Sequence, residues 1–145
     1  MNIQKFIAAA IANNGASFNI NTAELNPSNG YFVSIADAEL KVDEITPEIV
    51  KTYVNDNIDL LAIDGVFLGA WLNSDDGKWY LDSSTQIESL REALTKGMKR
   101  DQKAIFDANM GREIKLPSRQ RCGTEHQKQS YIEAKVNELI DSLWC

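Results

Sequence analysis

Nine basic side chains fall within residues 96–128: Lys96, Lys99, Arg100, Lys103, Arg112, Lys115, Arg119, Arg121 and Lys128, against only four carboxylates in that span. Arg119 and Arg121 stand just before Thr124-x-x-Gln127, a capping-box pattern that opens a helix. Guanidinium forks beside free backbone N–H groups suit a phosphate or a carboxylate. Lys99, Arg100, Lys103, Arg112, Lys115, Arg119 and Arg121 are therefore candidate partner- or anion-binding residues. Two plainer explanations compete. Lysines at a helix end answer the negative end of its dipole, and the arginines balance an acidic front half. Residues 1–95 carry five Lys/Arg against fourteen Asp/Glu, net -9; residues 96–145 carry ten against seven, net +3, and together they give -6. That total disfavours non-specific binding to duplex DNA.

Other reactive side chains are sparse. Cys122 lies in an electropositive stretch before the same helix, and His126 follows four residues on. A thiolate and an imidazole are the minimum for a cysteine-dependent enzyme, but no orienting third group is evident. The sequence has no P-loop, GxGxxG, HExxH or GxSxG pattern. The two cysteines, Cys122 and Cys145, and the single histidine match no zinc spacing, so no metal or cofactor is expected. Asp75, Asp76 and Asp82 fit no calcium loop and read as a solvated hairpin tip. Tyr80 is a candidate stacking platform, on the strand face opposite Trp79 and Leu81.

These residues need a scaffold, and hydrophobic periodicity supplies one. Ile3, Phe6, Ile7, Ala10 and Ile11 have helical spacing, and the helix should end at Asn13-Asn14-Gly15, with glycine taking the left-handed conformation. Residues 16–20 and 31–35 read as strands, and 38–42 as a third. Thr46-Pro47-Glu48 opens a helix running to about residue 61. Two aromatic runs flank Asn73-Ser74-Asp75-Asp76-Gly77, a β-hairpin whose glycine takes positive φ. Gly69 inside it marks a bulge or a close approach. Trp79 should be buried on the inner face. A third helix is expected to be capped near Ser83 or Ser84, with Ile87, Leu90, Leu94 and Met98 on one face. Residues 103–108 and 112–116 form a second hairpin around Asn109-Met110-Gly111, and a last helix carries Tyr131, Ile132, Val136, Leu139, Ile140 and Leu143. The expected fold is α+β: a mainly antiparallel sheet of about five to seven strands built from hairpins, helices on one face, and a C-terminal helix. Residues 1–145 are expected to form one domain, with 118–145 appended to its core. The apolar run of the first helix only just reaches the length of a signal-peptide core and no clean small-residue cleavage site follows it, so it is read as an amphipathic helix, and no run suffices to span a membrane.

The middle of the chain resembles small, largely uncharacterised accessory proteins of phages and prophages. The shared pattern is Gly69-x-Trp71, Gly77-Lys78 with Tyr80-Leu81-Asp82, Glu92-Ala93 with Gly97, and Gln102 through Asp107. "NGYFVSI" at 29–35 resembles their front half, so the likeness spans about 29–115 and leaves 117–145 outside. The resemblance implies no site residues. It implies a class, anti-defence proteins of anti-CRISPR type, that acts in the host cytoplasm. The expected partner is a host defence protein or nucleoprotein complex such as a CRISPR effector, bound without catalysis and away from membranes. The alternative is a sponge for a signalling nucleotide, built around 112–124 and open to sharing across a homodimer.

Overall fold

The structure, a computed structural model, describes residues 2–118 and 122–144. It contains five helices and seven strands among the described residues, in the order α1 (Ile3–Asn13), β1 (Gly15–Phe18), β2 (Tyr31–Ser34), β3 (Leu40–Val42), α2 (Pro47–Asp56), α3 (Ile58–Leu61), β4 (Val66–Leu72), β5 (Trp79–Ile87), α4 (Leu90–Lys99), β6 (Ala104–Asp107), β7 (Arg112–Lys115) and α5 (Glu125–Trp144). The α+β class with a mainly antiparallel sheet is what the hairpin pattern predicts. The chain forms two compact units, each drawn from two segments: residues 1–27 with 37–86, and residues 28–36 with 87–145.

In the first unit the β4–β5 hairpin is the centre. β1 pairs with β4 and β3 with the start of β5, all antiparallel. One face carries Phe18, Leu68, Ala70 and Leu81, all buried, and α1 lays Phe6, Ile7 and Ala10 on it. The rings of Phe6 and Phe18 lie 6.3 Å apart. Helix α1 ends differently from expectation: Asn14, not Gly15, takes the left-handed conformation, at φ 59, and Gly15 begins β1. Asparagine tolerates that region better than other residues with a β-carbon. Thr46 caps α2 as expected, accepting from Ile49 N at 3.2 Å. The expected single helix to 61 is broken at Asn57, whose side chain donates to Tyr53 O at 2.9 Å.

Tyr53 fastens α2 to the sheet. Its hydroxyl donates to Ala38 O and accepts from Ser83 Oγ at 2.8 Å. Burial pushes the phenol pKa well above its usual value. Gly69 pairs with Asp82 in unbroken register, so there is no bulge. The space its side chain would fill is taken by Oδ1 of Asp82, which is the close approach that the glycine permits. At the hairpin tip Gly77 has φ +69, and Asn73 closes the turn by accepting Gly77 N at 2.8 Å.

Two expectations fail here. Ser83 and Ser84 do not cap a helix: both are buried within β5, which runs to Ile87. The polar run looks like a loop, but its hydroxyls are used internally, by Tyr53 and by Asp82 at 3.3 Å. The cap is Ser89, accepting from Glu92 N at 3.2 Å. Trp79 shares a face with buried Leu81 but is only half-buried, because it is the first residue of β5, at the hairpin end.

In the second unit β2 pairs with β6 and β6 with β7, again antiparallel. Val33, Ile105 and Ile114 meet Ala93, Leu94 and Met98 of α4, and Ile132 and Val136 of α5 complete that core. Gly97 lets α4 sit close: a β-carbon there would come within 2.6 Å of Leu116 Cδ1 and 2.9 Å of Ile105 Cγ2. The capping box forms reciprocally. Thr124 N donates to Gln127 Oε1 at 2.8 Å, and Gln127 N to Thr124 Oγ1 at 3.1 Å. Among the described residues no helix is long and apolar enough to cross a membrane.

Candidate functional site

The basic residues singled out in the sequence belong to α4, the β6–β7 hairpin and the segment after it, and the fold disperses their charge. Arg100, at the C-cap of α4, turns back on β2 and donates to Val33 O at 3.0 Å and Ser34 O at 3.4 Å. Partial burial lowers its pKa from the ordinary arginine value. Lys99 is exposed in the last turn of α4, where a cation suits the helix dipole. Arg112 pairs through Nε with Asp107 Oδ2 at 3.3 Å. Asp107 is 1% exposed and its other oxygen accepts from Asn109 N at 3.0 Å and Met110 N at 3.2 Å. One carboxylate thus shapes the whole turn, and Arg112 neutralises it.

Lys103 and Lys115 remain. Both are exposed, and neither makes an ion pair among the described residues. They meet at the open end of the hairpin, where Lys115 pairs with Ala104 and Leu116 N donates to Lys103 O at 2.8 Å. Beside them a shallow groove of about 500 Å³ runs between Lys115–Pro117 and the α5 residues Lys135, Glu138, Leu139 and Ser142. Lys135 is held by Glu138 at 3.4 Å and lies 5.7 Å from the ring centroid of Tyr131. Arg119 and Arg121 lie outside the described residues, as does Cys145.

Sequence reading missed the apolar centre of this surface. In β6 the side chains alternate: Ile105 and Asp107 are buried towards α4, while Phe106 points to the opposite face and is 46% exposed. Phe106 stands between Phe32 on β2 and Glu113 on β7. Met110, in the turn, is 69% exposed. The signal was present in "AIFDA", since period-two alternation puts Ile105 and Phe106 on opposite faces.

Tyr80 is not an isolated platform. Its ring stacks on Trp71 with centroids 4.5 Å apart and planes 15° apart. Lys41 Nζ stands 5.5 Å from the Tyr80 centroid and 3.0 Å from Asp76 Oδ2. The Tyr80 hydroxyl donates to the same carboxylate at 2.7 Å. That bond, with Lys78 N and Lys41, lowers the Asp76 pKa to about 2. A second pair, Lys78 with Asp43 at 2.6 Å, ties the tip to the segment after β3. Cys122 is an exposed free thiol and His126 is exposed in the first turn of α5. No group of three His, Cys, Asp or Glu among the described residues is placed to hold a metal. No family model, curated protein or solved structure matches the chain.

Proposed function

We propose that the chain is a non-catalytic, phage-type binding protein that inhibits a host defence system in the host cytoplasm by occupying a protein partner, such as a CRISPR effector. Its contact surface is the open face of the β6–β7 hairpin. The single observation that carries this reading is Phe106: a phenylalanine 46% exposed in a paired strand, with Met110 exposed at the adjoining turn. Exposed aromatic and Met residues near a polar rim are the composition of interface cores. Lys103 and Lys115, free of ion pairs among the described residues, supply rim charge that steers an acidic surface into place. The phage and anti-defence context rests on the sequence resemblance alone.

The test is affinity capture from a bacterial lysate with the unsubstituted chain and with Phe106→Asp as matched baits. The reading expects a protein retained by the first and lost by the second, with the fold of both intact. Identical captured sets overturn it. A second reading, a sponge for a nucleotide signal, is favoured by the groove between Lys115 and Lys135. Mass spectrometry of small molecules released from the same bait separates the two. A retained nucleotide that Lys115→Ala releases and Phe106→Asp keeps would replace the first reading with the second.

A further inference from the structure

The sequence contains two Asn-Gly dipeptides, Asn14–Gly15 and Asn29–Gly30. Such a dipeptide is the one most open to spontaneous deamidation, because glycine leaves its backbone nitrogen unhindered. The fold treats the two copies in opposite ways.

At Asn29–Gly30 the nucleophile is held. Gly30 N donates to Asn109 Oδ1 at 3.1 Å, and Gly30 O accepts from Ala108 N at 3.0 Å and Asn109 Nδ2 at 3.5 Å. Asn109 is itself set by Asp107, which accepts its backbone N–H. A hydrogen-bonded, buried N–H loses its proton slowly, and the nitrogen must be deprotonated before it can attack. Turning it towards the Asn29 side chain also breaks the Asn109 clamp.

At Asn14–Gly15 the nucleophile is open. Leu72 N donates to Asn14 O, so Gly15 and Trp71 form a rung without hydrogen bonds, and Gly15 N–H points away from β4. No other residue accepts it among the described residues, and the exposed Asn14 carboxamide makes no hydrogen bond there either. Reorienting this peptide breaks one ladder bond at a helix end, where local opening is cheap.

We infer that Asn14 is a built-in site of non-enzymatic modification and that Asn109 protects Asn29 from the same reaction. Hydroxide removes the Gly15 amide proton and the nitrogen attacks Asn14 Cγ. The Cγ–Nδ2 bond breaks and ammonia leaves. Water then opens the succinimide to aspartate or isoaspartate. Either product puts a negative charge at the C-cap of α1, the negative end of a helix with no basic residue in its last turn. Conversion should therefore loosen α1 progressively.

The experiment is to age the full chain at mildly alkaline pH and follow both sites by peptide mass mapping and isoaspartate detection. In the folded chain Asn14 should convert at least about five-fold faster than Asn29, the factor expected from one hydrogen bond on the nucleophile. In denaturant the two should convert at similar rates. Asn109→Ala should speed Asn29 by about five-fold and leave Asn14 unchanged. Equal folded rates, or a faster Asn29, overturn the inference, as does an unchanged Asn29 rate in a folded Asn109→Ala chain. If that variant does not fold, the folded and denatured rates of the unsubstituted chain decide alone.

Discussion

Residues 1–27 and 37–86 carry four Lys/Arg against twelve Asp/Glu, a net of -8, whereas residues 28–36 and 87–145 carry eleven against nine, a net of +2. The charge asymmetry noticed along the chain thus coincides with the division into two compact units. What the charges do also differs. In the first unit many acids lie solvated around α2 and α3, with Asp37, Glu39, Asp43, Glu44, Glu48, Asp56, Asp59 and Asp64 all exposed. The lysines Lys41 and Lys78 are spent in pairs at the hairpin tip. In the second unit several cations are engaged within the unit: Arg100 with carbonyls of β2, Arg112 with Asp107, and Arg91 with Asn137 at 2.8 Å. A run of basic letters therefore overstates the charge offered to a partner. Long side chains reach back to their own backbone, and of the predicted set Lys103 and Lys115 are exposed without an ion pair among the described residues.

The sharpest way to break this comparison is to attack each core in turn. Leu81→Ala in the first unit and Leu94→Ala in the second should each destabilise by about 2–5 kcal/mol, since both side chains are fully buried. Chemical denaturation followed through both variants measures it. A variant with an unchanged midpoint would show that its unit lacks the core described. A smaller effect is expected from Tyr53→Phe, about 1–3 kcal/mol, because it leaves Ala38 O and Ser83 Oγ without their buried partner. Asp107→Ala should cost a similar amount while freeing Arg112. It removes the acceptor of two turn N–H groups, and a chain that melts as before would show that the turn is held otherwise.

The smallest effect concerns pH. Asp76 is held at about 2, below its ordinary 3.8. A depressed folded pKa adds stability that is present above 3.8 and lost as pH falls from 3.8 towards 2. Asp76→Asn should flatten the acid limb of the stability profile in that window by removing a stabilisation that the unsubstituted chain holds at neutral pH, a small one because Lys41 is half-exposed and solvent screens the pair. An unaltered acid limb would remove the tip network from the account.

The order of elements was legible in the sequence because the strong signals are local. Thr46-Pro47, the hairpin around Gly77 and the Thr124–Gln127 box are each decided within a few residues, and each forms. The errors arose where tertiary partners decide. Ser83 and Ser84 look like a loop until Tyr53 and Asp82 are placed beside them. Gly69 looked like a bulge or a close approach, and only the position of Asp82 selects the second. The basic site was less legible than the fold. Charge is additive along a sequence, but its availability depends on carbonyls and carboxylates far away in the chain, such as Val33 O for Arg100. Phe106 was readable from alternation alone, yet its meaning depends on which face α4 covers.

The central claim is that a partner docks on the open face of the β6–β7 hairpin. It is tested most directly by placing a photo-cross-linking amino acid at position 106 and, in a second chain, at position 58, where Ile58 is a comparably exposed apolar residue of the acidic unit. Both chains are irradiated in the same bacterial lysate. The account predicts one discrete protein adduct from position 106 that is absent from position 58 and weakened when Lys103 and Lys115 are both replaced by alanine. An adduct at 58 alone, or the same adducts from both positions, would contradict it.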